Sequence, residues 1–221
     1  MPMLAITPPP TSVDDLLFAR IAEDLRQQGY SVIHNALPEN LAAKLFEQIM
    51  TLDSHDFSEA GVGRQNDLTL NQFVRRDEIC WIEGHSPAEH DWLQWVTRLQ
   101  HYLNKHLFLG LFSFESHFAH YQPGDFYRKH LDAFRGETNR RLSSVAYLNP
   151  GWLPEDGGEL VIYDVDSDEE VVRVTPAYGT LVVFLSEDFP HEVLTARRHR
   201  YSIAGWFRVN GSSNDRVDPP R

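Results

Sequence analysis

The chain has 221 residues, 42% of them hydrophobic and 12% aromatic, which suits one globular domain with a substantial core. Its net charge of −12 at pH 7 argues against nucleic acid as a partner. The single cysteine, Cys80, excludes an internal disulfide, and no stretch approaches the roughly 20 apolar residues of a membrane span. Since the start also lacks the features of a signal peptide, we expect a cytoplasmic protein that binds neither nucleic acid nor membranes.

In chain order, the first half is predicted to be mainly helical. A Pro-rich segment at 1–12 is expected to be a flexible arm. Ser12 can cap a helix that runs to about Gln28 and stops at Gly29. The apolar patterns that follow predict a strand at 30–34, a second helix at 38–50 and a third, long helix from Ser86-Pro87. Residues 13–110 are therefore expected to form a helical support.

From Leu111 onward, short runs rich in Val, Ile, Tyr and Phe alternate with turn residues. Eight strands are predicted, at 112–121, 126–131, 142–148, 159–163, 170–174, 180–185, 190–195 and 201–208. Their regular spacing indicates a sandwich or barrel. Helices followed by strands predict an α+β fold, with the helices packed on one sheet of an antiparallel double sheet. A single domain is expected over 13–210, with a flexible tail at 211–221.

A candidate metal site combines His130-x-Asp132 with His191. Residues two apart on a strand face the same side, so His130 and Asp132 can share one ion. His191 is predicted to open a strand directly after a turn. Two histidines and one carboxylate that leave other positions open are typical of non-haem Fe(II) oxygenases. The alternative for His130 and Asp132 is a surface pair on an edge strand.

Arg200 is the second informative residue, because it begins the apolar run 200–207, which is predicted to be buried. A buried arginine is costly unless a carboxylate meets it, and its planar fork suits bidentate pairing. A dicarboxylate such as 2-oxoglutarate would supply that partner while its other end chelates the iron. The alternative is a structural ion pair with an internal acid.

With these residues in place, the chain resembles the 2-oxoglutarate/Fe(II) oxygenases. It is most similar to the prolyl 4-hydroxylases, in particular to the hypoxia-inducible-factor prolyl hydroxylases and their bacterial relatives. Six colinear segments carry the resemblance, at 75–84, 121–124, 147–149, 157–163, 190–193 and 200–207. The resemblance implies a double-stranded β-helix, also called a jelly roll.

The resemblance also implies roles for individual residues. It places the iron ligands at His130, Asp132 and His191, and the group that pairs with the 2-oxoglutarate carboxylate at Arg200. Tyr147 would bond the same carboxylate, and Tyr121 would line the cosubstrate pocket. A mobile hairpin would span about 61–81. The residues expected to contact substrate are Arg140, Trp206, Arg75, Asp77 and Trp81.

The activity that the resemblance implies is hydroxylation of a prolyl residue in a protein substrate to 4-hydroxyproline. The reaction would use Fe(II), 2-oxoglutarate and O2, with ascorbate in support, and would release succinate and CO2. Elongation factor Tu is the protein partner that the bacterial branch suggests. Two alternatives stay open: a hydroxylase of a small molecule or free amino acid, and a non-enzymatic metal-binding jelly roll.

Overall fold

The computed structural model of the chain describes residues 12–53, 55–60, 74–133 and 139–211. The predicted arm lies outside the described residues except for Ser12, and the predicted tail lies outside them except for Gly211. Most of the predicted hairpin at 61–81 is outside them as well. The helices are α1 Val13–Gln28, α2 Glu39–Thr51 and α3 Pro87–Leu107. The strands are β1 Tyr30–Ile33, β2 Ser58–Glu59, β3 Glu78–Trp81, β4 Leu111–Tyr121, β5 Tyr127–His130, β6 Arg140–Tyr147, β7 Leu160–Tyr163, β8 Glu170–Val174, β9 Leu181–Leu185, β10 His191–Val193 and β11 Arg200–Val209.

The strands form two sheets, in which every described pairing is antiparallel. The larger sheet has the order β1-β9-β6-β11-β4-β3-β2, and the smaller one has the order β5-β10-β7-β8. Consecutive strands from β4 onward therefore alternate repeatedly between the sheets. This arrangement, with the helices in front of it in the chain, is the predicted α+β jelly roll.

The helices begin and end where local chemistry requires. The Ser12 hydroxyl accepts a hydrogen bond from the Asp15 N–H, and the Asp15 carboxylate accepts one from the Ser12 N–H, which closes a capping box. Gly29 ends α1 in the left-handed region at φ 78°. The second helix begins at Glu39, one residue later than predicted, because Pro38 takes an extended ψ of 133° as its cap.

Two apolar cores flank the larger sheet. The first lies between the helices and this sheet and buries Ile21, Leu45, Trp92 and Phe207. The second lies between the two sheets and contains Tyr121, Tyr147, Leu160 and Phe184. Helices α1 and α3 both contact strands of the larger sheet, so the prediction that the helices pack on one sheet is confirmed.

All eight strands predicted after Leu111 are present, with ends that differ by at most two residues. Among the described residues, the first half holds two strands beyond the predicted β1: β2, which has only two residues, and β3, which lies at the end of the predicted hairpin at 61–81. They pair with each other, and β3 pairs with β4 at the edge of the larger sheet. In the described part of the chain, no helix combines the length and apolar character needed to span a bilayer.

Candidate active site

A cavity opens between the two sheets and contains the candidate metal site. His130, Asp132 and His191 line it from the side of the smaller sheet, and Arg200 and Trp206 from the larger one. A larger groove lies between the N-terminal parts of the helices, but it lacks a comparable set of metal-ligating side chains. We therefore place the candidate active site in the cavity between the sheets.

The two histidines meet because their strands are neighbours. In the antiparallel ladder between β5 and β10, His191 lies directly opposite His130, so both side chains leave the sheet on the same face. Their ring centroids are 4.3 Å apart. The prediction placed His130 and Asp132 on one strand, but β5 ends at His130 and Asp132 lies just beyond it. The carboxylate still joins the histidines.

One ligand atom from each of His130, Asp132 and His191 lies within 4.8 Å of the others, which is the spacing of a group that can hold a metal ion. The Asp132 carboxylate oxygens lie 3.7 Å from Nε2 of His130 and 3.6 Å from Nε2 of His191. All three side chains are largely shielded from solvent. The donor set, two imidazoles and one carboxylate, fits Fe(II) with positions left for other ligands.

Backbone carbonyls orient both imidazoles. Nδ1 of His130 lies 2.7 Å from the carbonyl oxygen of Arg128, and Nδ1 of His191 lies 3.1 Å from that of Phe189. A carbonyl only accepts hydrogen bonds, so each Nδ1 carries the proton and each Nε2 offers a lone pair. This is the usual way in which a second partner fixes the tautomer of a metal-binding histidine.

The protonation states also suit metal binding. Burial, together with the neighbouring His191, lowers the pKa of His130 to about 3, so that its imidazole is neutral near pH 7. Burial alone would raise the pKa of Asp132, but the interactions with His191 and His130 and a hydrogen bond from Ser143 outweigh it. The pKa of Asp132 is therefore well below its usual value. The Ser143 hydroxyl donates to Asp132 Oδ2 over 2.6 Å.

Arg200 is 1% exposed at the start of β11, as predicted. Among the residues that the structure describes, its guanidinium meets only uncharged groups. Nε donates to the carbonyl oxygen of Gly158 at 2.9 Å, and Nη1 donates to the Ser202 hydroxyl at 3.2 Å. The rings of Tyr121 and Tyr147 lie 4.7 and 5.1 Å from its Cζ. The alternative of an ion pair with an internal acid finds no support in these contacts.

Tyr147 is fully buried beside Arg200, and its hydroxyl makes no hydrogen bond of normal geometry to the described residues. Burial raises the pKa of this hydroxyl to about 12, although the positive charge of Arg200 opposes the rise. The group is therefore a neutral donor. Within the described residues, this buried donor has no acceptor and the buried cation beside it has no anion, an arrangement that suits an anionic ligand.

The residues expected to contact substrate lie at or next to the cavity. Trp206 lines it, and the Arg140 guanidinium lies 3.8 Å above the Trp206 ring. Arg140 also donates to the Glu115 carboxylate at 3.0 Å. Trp81 does not line the cavity: it is 41% exposed and contacts the buried His117, which in turn contacts Trp206.

Arg75 and Asp77 form a buried ion pair at the cavity wall. Nε and Nη2 of Arg75 donate to the two Asp77 oxygens at 2.6 and 2.8 Å. Although burial of Arg75 would lower its pKa, the pairing with Asp77 outweighs it and holds the guanidinium charged. Arg75 lines the cavity, whereas Asp77 reaches it only through Arg75.

Three contributors were not predicted from the sequence: Ser143, Ser202 and Tyr127. Ser202 lies two residues beyond Arg200 and so shares its face of the strand, which the sequence could have indicated. Ser143 comes from another strand, and nothing in its local pattern connects it to Asp132. The Tyr127 ring stacks on His130 at 3.5 Å between centroids, and no local pattern indicates this contact.

A jelly roll whose cavity holds two histidines and one carboxylate is typical of the metal-dependent oxygenases. The family model described as the 2OG-Fe(II) oxygenase superfamily matches residues 116–208. A prolyl-4-hydroxylase from Pseudomonas putida is 41% identical, with a TM-score of 0.78, over 88% of this chain and 100% of that one. The chain therefore belongs to the 2OG-Fe(II) oxygenase superfamily, and the resemblance to prolyl 4-hydroxylases is confirmed.

Two further relatives agree with this assignment. A prolyl hydroxylase from Trichoplax adhaerens, in complex with a hypoxia-inducible-factor peptide, is 26% identical with a TM-score of 0.79, over 88% of this chain and 90% of that one. A prolyl 3-hydroxylase from Xenopus laevis is 35% identical over 100 residues, which cover 42% of this chain and 18% of the relative. The chain spans less than half the length of the first curated relatives that it matches.

Proposed function

We propose that this protein hydroxylates a prolyl residue of a protein substrate to 4-hydroxyproline, with 2-oxoglutarate and O2 as cosubstrates and succinate and CO2 as coproducts. The observation that carries the proposal is the pair formed by Arg200 and Tyr147. In the described part of the chain, this guanidinium is buried among neutral groups and this hydroxyl is buried without an acceptor, which fits one carboxylate of 2-oxoglutarate. A sensor that binds only a metal has no use for these two groups.

His130, Asp132 and His191 are the residues that would hold Fe(II). When bound, iron supplies the binding and activation of O2. Asp132 keeps its charge mainly through its interactions with His191 and His130, to which the hydrogen bond from the Ser143 hydroxyl adds. Each histidine presents its Nε2 because a carbonyl holds the proton on Nδ1. Arg200 and Tyr147 would fix the far end of the cosubstrate. The chain thus orients the reactants and keeps water away from them.

Several features support a protein as the substrate. Trp206 lines the cavity with the Arg140 guanidinium stacked on its ring, and the exposed Trp81 contacts the same aromatic cluster through the buried His117. The Trichoplax relative takes a peptide of a hypoxia-inducible factor. Elongation factor Tu is our candidate target for this chain. The Xenopus relative is a prolyl 3-hydroxylase, so the product has to be analysed to determine whether the hydroxyl is added at C3 or at C4 of the proline.

The decisive experiment compares proteins from cells with and without this gene by mass spectrometry, in parallel with succinate release by the purified protein. The assay contains Fe(II), 2-oxoglutarate, O2 and ascorbate. We expect succinate formation and the gain of one oxygen atom on one proline of one protein, with elongation factor Tu as the first protein to inspect. Amino-acid analysis against authentic standards then distinguishes 3- from 4-hydroxyproline.

Two controls make the result interpretable. Asp132→Ala should abolish succinate release, because a carboxylate ligand is lost, while Cys80→Ser, which lies outside the cavity, should not. Turnover without any modified protein would replace the proposal with a small-molecule hydroxylase. Absence of both turnover and 2-oxoglutarate binding would leave a metal-binding jelly roll without this activity.

A further inference from the structure

The strand that carries His130 needs support from outside its own sheet. β5 is the edge strand of the smaller sheet and is paired within that sheet only with β10. His191, by contrast, lies on β10 between two partners. A short edge strand is the less restrained of the two, because half of its backbone groups have no partner in the sheet. A metal ligand at its end requires another restraint.

A bulge in β5 sets up that restraint. Between the paired positions, the three steps from Tyr127 to His130 oppose only the two steps from Val193 to His191. The extra residue turns Tyr127 to the same face as His130, as a β-bulge does. Their rings stack with centroids 3.5 Å apart and planes inclined by 16°. The imidazole plane is thus held by a ring on one side and by the Arg128 carbonyl at its Nδ1.

Residues 74–77 close the outer edge of β5. The Arg128 N–H donates to the carbonyl oxygen of Val74 at 2.9 Å, and the Arg76 N–H donates to that of Phe126 at 3.2 Å. Arg75 lies opposite Tyr127, and its guanidinium covers the Tyr127 ring at 4.6 Å. Asp77, whose side chain is completely buried, holds this guanidinium with two hydrogen bonds.

We propose that Tyr127, capped by the Arg75–Asp77 pair, is a positioning residue that sets the imidazole plane of His130 and thereby the affinity of the site for its divalent cation. The inference rests on the iron site proposed above. Partners of metal-binding histidines commonly change metal affinity about 10- to 100-fold when they are removed. Here the partner of His130 is the stacked ring of Tyr127, which is covered by the Arg75 guanidinium, rather than a hydrogen-bonding group. The bulge in β5 places this ring beside the imidazole.

The test measures Mn(II) affinity without turnover, from the electron paramagnetic resonance signal of the free ion. Tyr127→Leu should weaken the affinity about 10- to 100-fold, and Tyr127→Phe, which keeps the ring, should stay within about threefold of the wild type. Tyr102→Leu is the matched control. Tyr102 stacks on His106 at 4.1 Å on α3, away from the cavity, so its loss should leave Mn(II) affinity unchanged.

A second variant covers the case in which Tyr127→Leu does not fold. Asp77→Asn releases the clamp on Arg75 and leaves its charge uncompensated near His130, so Mn(II) affinity should fall here as well. A folded Tyr127→Leu protein with the Mn(II) affinity of the wild type overturns the inference and leaves the iron site intact. If the wild type itself binds no more Mn(II) than His130→Ala does, the proposed function fails first.

Discussion

At the scale of single residues, the site is defined by buried polar groups that lack a counter-charge or a hydrogen-bond partner among the described residues. Arg200 is among the largest fully buried side chains of the described residues, yet its guanidinium meets a carbonyl, a hydroxyl and two rings. Burying a charge without a counter-charge is expensive. The cost is tolerable if an anion binds during function, which is why this residue carries more weight than the metal cluster alone.

Replacement of Arg200 tests this argument directly. Arg200→Ala should weaken 2-oxoglutarate binding by about 30-fold or more, since removing one partner of a buried charge pair costs about 2–5 kcal/mol. Arg200→Lys keeps the charge but loses the fork, so its affinity should be intermediate. Calorimetric titration with Mn(II) present measures the affinity. An Arg200→Ala protein that binds 2-oxoglutarate normally would refute the cosubstrate assignment.

Replacing Tyr147 by Phe should affect the stability of the ligand-free protein and its affinity for 2-oxoglutarate differently. The Tyr147 hydroxyl is buried without a hydrogen-bond partner among the residues that the structure describes, so Tyr147→Phe should leave the free energy of unfolding of the ligand-free protein unchanged or slightly raised. The same change should weaken 2-oxoglutarate binding by about tenfold or more, because one hydrogen bond to a charged carboxylate, worth about 1.5 kcal/mol or more, is lost. Urea unfolding and titration of the same preparation measure both. A clear loss of stability would mean that the hydroxyl has a partner in the free protein.

The sequence predicted these residues unequally well. Arg200 could be predicted because a charge inside an apolar strand is conspicuous by itself, and the arrangement of His130, Asp132 and His191 repeats a known donor set. Tyr127 could not, because its approach to His130 depends on a bulge, and a bulge depends on the register between two strands.

At the scale of elements, alternation predicted the eight strands of the second half but not how they pair. The pairing of β5 with β10 brings the two histidines together, although 61 positions separate them in the chain. The two residues of β2 are too few for a periodic signal. Helix ends were predicted within a residue because caps are local: Ser12 and Gly29 need only their own neighbours.

Gly29, at the end of α1, packs against Phe189 in the loop that precedes His191, and this contact gives a prediction. A Cβ at this position would lie 2.8 Å from the Phe189 ring, and the Phe189 carbonyl orients His191. Gly29→Ala should therefore cost about 1–2 kcal/mol for the left-handed backbone and about 1–3 kcal/mol more for overpacking. Gly110→Ala is the control: its φ is also positive, at 66°, but a Cβ there meets open space.

Urea unfolding of both glycine variants measures the difference. We expect Gly110→Ala to lose only the backbone contribution and to keep its Mn(II) affinity. Gly29→Ala should be the less stable variant and should bind Mn(II) more weakly. Equal losses in the two proteins would show that the Phe189 ring yields without effect on the site.

At the scale of the whole molecule, the proposed ligands would connect the two sheets. The two histidines lie on strands of the smaller sheet, whereas Arg200 and Tyr147 lie on β11 and β6 of the larger one. Asp132 follows β5 and accepts its hydrogen bond from Ser143 on β6. A metal ion would therefore fasten the end of the smaller sheet, and 2-oxoglutarate would extend from it to the centre of the larger sheet.

This geometry predicts a stepwise gain in protection from amide hydrogen exchange. Mn(II) alone should slow exchange mainly in β5 and β10, while Mn(II) with 2-oxoglutarate under anaerobic conditions should extend protection to β11 and β6. At about 100 times its dissociation constant, each ligand adds about 2.7 kcal/mol to the free energy of unfolding. In Arg200→Ala at the same ligand concentrations, the second step should shrink to about 1 kcal/mol or less because 2-oxoglutarate binds more weakly. The first step should remain, because the proposed metal ligands are unchanged. Protection confined to the smaller sheet in the wild type would mean that 2-oxoglutarate does not reach Arg200.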